Sequence, residues 1–209
     1  MMDSSIQDSV AQRIRARARA GKRVFVPRDF LDLGSRSAID QALSRLAKAG
    51  TIRRLRRGVY DAPKVHPRLG PLSPNIHDVA SAIARSSGHV IQTSGASAAN
   101  ALGLSTQVPA KNVYLTDGPS RTLKVGNRTL VFRHSNQLAG AGTKAGTVIQ
   151  ALRYLGSQSQ LSPNAIQRIR DNLSPSDLKA LDRHSGAVSQ RVAREVQRVI
   201  GPRASAEAA

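Results

Sequence analysis

Apolar side chains recur at helical spacing from the start of the chain. Ile6, Val10 and Ile14 fall at i, i+4 and i+8 behind the polar starters Asp3, Ser4 and Ser5, which predicts an amphipathic helix from about Ser5 to Ala20, ended by Gly21. Lys22 to Val26 is a short β-prone piece, and Pro27 opens a brief second helix through Phe30 and Leu31 that Gly34 closes. Ser35 and Ser37 are cap candidates for a third helix, with Ile39, Ala42, Leu43 and Leu46 as its buried stripe and Gly50 as its stop. The pattern then changes to that of a hairpin, Thr51 to Leu55 and Val59-Tyr60 flanking the turn Arg56-Arg57-Gly58.

Pro63, Pro67, Pro71 and Pro74 follow within a dozen residues, a density that excludes helix or central strand and predicts a linker over 64–74. Beyond it, Ile76, Val79, Ala80 and Ile83 mark an amphipathic helix ended by Gly88, followed by the β-like His89 to Gln92 and a small-residue helix, Gly95 to Leu102. Residues 112–116, 122–125 and 128–133 read as strands, the last two joined at Gly126-Asn127, and helices resume at 143–155, 163–172, 175–184 and 187–200. The final helix carries a stripe of Val188, Val192, Val196 and Val199 or Ile200, with Arg191, Arg194 and Arg198 on its other faces. The expected fold class is α+β: an N-terminal winged helix-turn-helix domain over 1–63, the linker, a larger α+β domain over 75–200 with a helical C-terminal end, and a disordered tail over 201–209.

Charge sharpens this picture. The chain of 209 residues has 32 Lys and Arg against 13 Asp and Glu, a net charge of +19, which suits a polyanionic partner. Residues 1–70 hold the densest field, 16 basic groups against 6 acidic. Aromatic residues are only 3% of the chain and Trp is absent, so there are few platforms on which single-stranded bases could stack, and duplex DNA moves ahead of single-stranded RNA. No apolar stretch approaches the length of a membrane span, the first twenty residues lack the apolar region of a secretory signal, and no membrane partner is expected. The absence of cysteine excludes disulfides and thiolate chemistry and fits a reducing cytoplasm.

The outward side of the third predicted helix shows Ser37, Gln41, Ser44 and Lys48, flanked by Arg36 and Arg45. Short polar and basic side chains on such a face can reach base edges and phosphates in a major groove. The hairpin adds Arg53, Arg54, Arg56 and Arg57, four arginines in five positions. A polar helix face is commonly just solvated, and a basic hairpin is commonly an edge protected by charge. Three helices followed by a basic hairpin is the winged helix-turn-helix order, and in that order both surfaces would meet one phosphate backbone.

The run Gly50-Thr51-Ile52-Arg53-Arg54-Leu55-Arg56-Arg57-Gly58-Val59-Tyr60-Asp61-Ala62-Pro63 resembles the wing of the AbiEi-type antitoxins of type IV toxin-antitoxin systems, whose winged helix typically ends in I-x-R-L-x-R-G-V-Y followed closely by proline. Arg28-Asp29-Phe30 and Ser37 to Leu46 resemble that family's helix-turn-helix, and Gly146 to Gly156 resembles a helix of its C-terminal domain. The resemblance spans roughly residues 5–175 and is strongest over 22–63. It implies a bacterial-type cytoplasmic antitoxin that represses its own operon by binding double-stranded operator DNA and counteracts a toxin of nucleotidyltransferase type. Carried over by position, the DNA contacts are Arg36, Ser37, Gln41, Ser44, Arg45, Lys48, Arg53, Arg54, Arg56 and Arg57.

Catalytic constellations are not visible in the pattern. Gly140, Gly142 and Gly146 with Thr143 and Lys144 do not match G-x-x-x-x-G-K-[ST], and Thr143 reads instead as a helix start. Ser94 is not framed as G-x-S-x-G and reads as the cap of the alanine-rich helix. His66, His77, His89, His134 and His184 lie far apart, with Asp78 and Asp117 the only acids of residues 71–150. The expectation is no enzyme, no cofactor and no metal. A stand-alone repressor, whose C-terminal domain binds an effector or dimerises, is the first alternative, and a nucleic-acid-modifying or nucleotide-using enzyme the second. Operator, toxin and oligomeric state stay open.

Overall fold

The first helix, α1 (Met2–Arg19), buries Val10 and Ile14 with Ile6 packed alongside, the phase set by its apolar spacing. The structure, a computed structural model, describes residues 2–107, 109, 111–156 and 161–201, with side chains from residue 5 onward. The chain divides into two compact units, Met1–His89 with Lys124–Arg128, and Val90–Leu123 with Thr129–Ala209. Both helix and strand contribute to the fold, and it is α+β.

In the N-terminal unit α1 is followed by β1 (Val24–Phe25), a 3-10 turn (Pro27–Phe30), α2 (Arg36–Lys48), β2 (Arg53–Arg56) and β3 (Val59–Asp61). Strand β3 lies centrally, antiparallel to both neighbours, in the order β1-β3-β2. The 3-10 turn forms because Pro27 fixes the first φ and Asp29 reaches back to accept the Val26 N–H at 3.0 Å. It delivers Phe30, fully buried, to the core shared by Phe25, Ile39, Leu43, Leu46, Ile52 and Tyr60. Each large apolar side chain so buried contributes about 1.5–3 kcal/mol.

The Pro-rich stretch is more ordered than a linker. It forms a hairpin, β4 (Val65–His66) against β5 (Gly70–Pro71), in the register Val65↔Pro71 and His66↔Gly70. Prolines fit because Pro67 lies in the turn and Pro71 in a two-stranded edge where no central ladder is interrupted.

The next helix, α3 (Ile76–Ser86), groups with the N-terminal unit, so the division falls after His89 rather than within 64–74. Its Arg85 donates to both carboxylate oxygens of Asp29, at 2.8 and 3.0 Å, and Val79, Ala80 and Ile83 are buried.

The chain after His89 forms β6 (Ile91–Thr93), α4 (Gly95–Ala101), β7 (Asn112–Thr116), β8 (Arg121–Val125), β9 (Arg128–His134), α5 (Lys144–Leu155), α6 (Pro163–Asp171), α7 (Pro175–Arg183), a 3-10 turn (Ser185–Ala187) and α8 (Gln190–Ile200). The sheet order is β6-β7-β9-β8, with β6 antiparallel and β9 parallel to β7. Helix α4 approaches α5 closely because its contact residues are small. A Cβ at Gly95 would stand 2.6 Å from the Tyr154 Cβ. Val192, Val196 and Val199 of α8 join Ile169 and Leu181 in the helical core, so the valine stripe is a packing surface. The expected tail lies, from residue 202, outside the described residues. Among the described residues no helix is long and apolar enough to cross a membrane.

Candidate nucleic-acid interface

Helix α2 is held at both ends. The Ser35 hydroxyl accepts the Ala38 N–H at 3.3 Å, and Gly50, at φ +72°, turns the chain out of the helix. Ile39, Ala42, Leu43 and Leu46 are buried. At 3.6 residues per turn Ser37, Gln41, Ser44 and Lys48 fall within a sector of about 60° on the opposite side, a stripe about 16 Å long. Ser37, Gln41 and Lys48 are exposed and Ser44 is half-buried. On the flanks, Arg36 donates to Asp40 at 2.9 Å, and Arg45 is exposed.

The arginines after α2 are not equivalent. Arg53 is bound through Nε and Nη2 to the two carboxylate oxygens of Asp61, at 3.0 and 2.7 Å, and Nη2 also donates to the Leu72 carbonyl at 3.0 Å. Asp61 is 1% exposed at the end of the central strand. The Asp61 carboxylate holds the Arg53 guanidinium above its already high ordinary value, against the opposing effect of burial. Arg53 therefore has a structural role, its Nε and Nη2 taken up by Asp61 and Leu72, and is less available to a phosphate than Arg54 and Arg57.

Arg54 and Arg57 are exposed, Arg56 is half-buried, and among the described residues none of the three has a carboxylate partner. A bulge places Arg54 opposite Tyr60 and Arg56 opposite Val59, and Gly58, at φ +73°, closes the turn.

Several N-terminal cations are likewise committed to the fold. Arg13 donates to both oxygens of Asp32 at 2.6 Å, and this bond first of all holds the Asp32 carboxyl below its ordinary value. Arg17 lies 5.6 Å from the centre of the Phe30 ring. By contrast Arg15 and Arg19, one turn apart, are exposed on the side of α1 away from Val10 and Ile14. The sequence reading did not single them out, although their phase relative to the apolar stripe marks them. They are further cations that could meet a phosphate backbone.

In the second unit the glycine-rich segment is closed by the protein's own groups. The Thr143 hydroxyl accepts the Gly146 N–H at 3.1 Å as the cap of α5, and it donates to the Gly140 carbonyl at 2.6 Å. The buried Gln92 amide fills the loop, its Oε1 accepting from Gly142 at 3.0 Å and its Nε2 donating to Thr147 at 3.3 Å. Lys144 reaches out to the Asn172 carbonyl at 3.2 Å. Ser94 stands at the start of α4 but makes no cap bond; its hydroxyl donates to that of Ser97 at 3.3 Å. Among the described residues no three His, Asp or Glu side chains gather as metal ligands.

No curated protein matches the chain. Its structure is similar to the crystal structure of the RV2827C protein from Mycobacterium tuberculosis, 15% identical, with a TM-score of 0.42 over 94% of this chain and 76% of that one. Residues 9–181 match a group of proteins described as a family of unknown function, DUF6088, and with most of its length matched the chain belongs to the DUF6088 family.

Proposed function

We propose that the N-terminal unit is a winged helix-turn-helix reader of duplex DNA and that the protein is a transcriptional repressor. In this reading α2 enters the major groove with Ser37, Gln41, Ser44 and Lys48 toward base edges, Arg36 and Arg45 flank the groove, and Arg54, Arg56 and Arg57 of the β2–β3 turn grip phosphate. The observation that carries it is the division of α2 into a fully buried apolar side and an exposed polar stripe, followed in the same unit by an arginine hairpin with three unpaired cations among the described residues. A duplex suits the site better than a single strand, because Phe25, Phe30 and Tyr60, the aromatic residues of the N-terminal unit, are all buried and have no face to offer a base.

The resemblance of residues 50–63 to the AbiEi-type wing extends the proposal. The operon repressed is a type IV toxin-antitoxin operon, and the second unit counteracts a nucleotidyltransferase-type toxin.

Selection of a duplex from a random pool by the full chain tests the DNA reading. Gln41→Ala relaxes preference at particular base pairs by about 1–3 kcal/mol, and an equal loss on every sequence argues against base readout. Co-expression with the adjacent open reading frame tests the antitoxin role. A neighbour whose toxicity is relieved supports it, and a harmless neighbour leaves a stand-alone repressor.

A further inference from the structure

The β4–β5 hairpin is an ordered projection that the proposed wing does not use. Leu72 N–H donates to the Lys64 carbonyl at 2.8 Å, closing its base, and Arg53 holds the Leu72 carbonyl from the neighbouring sheet. At the tip, His66 Nδ1 accepts the N–H groups of Arg68 and Leu69 at 3.2 and 3.3 Å, and Gly70 takes φ +67°. The turn is therefore built rather than loose.

Its side chains face water. Leu69 is 73% and Val65 67% exposed, the two most exposed large apolar residues described. Lys64 and Arg68 beside them are exposed and without a carboxylate partner among the described residues, and the sequence has no acid between Asp61 and Asp78. Val65 and Leu69, exposed together on a projecting cationic hairpin, contribute little to the isolated fold and are available to a partner.

The charge of the finger suits an anionic partner, and its two apolar side chains suit one that also presents apolar surface. A second copy docking through the same finger would bring like charges together. Of the tip residues Pro67, Arg68 and Leu69 only Arg68 could fork onto a guanine in a major groove, and its two apolar neighbours have no donor or acceptor for the base edges there. One cation beside apolar side chains suits the acceptor-only floor and sugar walls of a minor groove. Resting on the DNA-binding reading above, we infer that the 64–72 hairpin is a second DNA contact, with Arg68 and Leu69 entering an A·T-rich minor groove beside the site read by α2 and Lys64 on the adjoining phosphate.

The test uses the full chain and a duplex it selects, with the flanking base pairs made A·T, G·C or I·C. An I·C pair has the major groove of G·C but lacks the amino group that blocks the minor groove. The wild-type chain binds the A·T and I·C duplexes alike and the G·C duplex about tenfold more weakly. Arg68→Ala and Leu69→Ser each abolish that difference while thermal unfolding is unchanged, since both side chains are exposed. Equal binding of all three duplexes, discrimination between A·T and I·C, or discrimination that survives both substitutions overturns the inference and leaves the α2 reading standing. Failure of the wild-type chain to select any duplex overturns both. Sedimentation with phosphatidylserine vesicles that Leu69→Ser abolishes, without any flank preference, assigns the finger to a lipid surface instead. A fall to a smaller species in Leu69→Ser assigns it to self-association.

Discussion

Arg53→Ala separates structural from binding arginines. The substitution leaves the Asp61 carboxylate, 1% exposed, without its bidentate partner. Breaking a buried ion pair by removing one member costs about 3–5 kcal/mol. The Arg53 side chain is itself 38% exposed, so water screens part of the pair and the expected loss is ~2–3 kcal/mol. That lowers the melting temperature by about 5–10 °C for a chain of this size. Arg53→Lys recovers only part, because an ammonium cannot reproduce the two parallel bonds of the guanidinium.

Replacing both partners by apolar residues removes the uncompensated charge and restores most of the stability. Arg54→Ala and Arg57→Ala, both at exposed positions, change stability by less than about 0.5 kcal/mol. Each instead reduces by about one the slope of log affinity against log salt. Thermal and urea unfolding, with salt titrations of DNA affinity, measure both effects. An Arg53→Ala protein as stable as wild type, or Arg54→Ala and Arg57→Ala proteins as destabilised as Arg53→Ala, would refute the assignment.

Two further predictions concern the second unit. Asp177 is held below its ordinary value near 3.8 first by the Ser174 hydroxyl and then by the Ser174 backbone, so its contribution to stability is present above the unfolded value and is lost as pH falls through the lower folded one. Asp177→Asn should therefore be less stable than wild type at neutral pH and equal to it in strong acid, as acid titration of unfolding will show; a difference independent of pH contradicts this. Gly146→Ala places a Cβ against the Gly140 carbonyl backbone and the Gln92 side chain, and it should destabilise by about 1–3 kcal/mol in urea unfolding. A neutral substitution would mean that the loop before α5 can yield.

Elements whose determinants are local could be read from the chain. The period of Ile39, Ala42, Leu43 and Leu46 fixed which side of α2 is buried, and Ser35 and Gly50 fixed its ends. Most strands and helices after His89 lie close to where alternation and helical spacing place them, although the last helix begins at Gln190 after a 3-10 turn rather than at 187. The differences between pattern and structure arise from pairings that periodicity does not encode. An unbulged hairpin turning at Arg57-Gly58 would set Arg54 opposite Asp61; the bulge moves Arg53 there and makes it structural.

Similarly, prolines at 63, 67, 71 and 74 point to a linker, yet a histidine accepting two turn N–H groups and one glycine at positive φ accompany a hairpin. The placement of α3 rests on the burial of Val79, Ala80 and Ile83 together with an ion pair between Arg85 and Asp29, 56 residues apart, contacts that no local window contains. Of the ten residues expected at the interface, the structure leaves Arg36, Ser37, Gln41, Arg45, Lys48, Arg54 and Arg57 exposed, Ser44 and Arg56 half-buried, and Arg53 bound to Asp61.

Because the chain has no cysteine, single cysteines can be introduced at Gln41 or Arg57 and labelled with a photoreactive group at one known position. Irradiated with a duplex selected by the protein, the Gln41→Cys conjugate should crosslink to bases in a major groove, and the Arg57→Cys conjugate to the sugar-phosphate backbone of the same duplex. Stable binding of the duplex with no crosslink from position 41 would mean that the polar stripe of α2 faces away from DNA, contradicting the account.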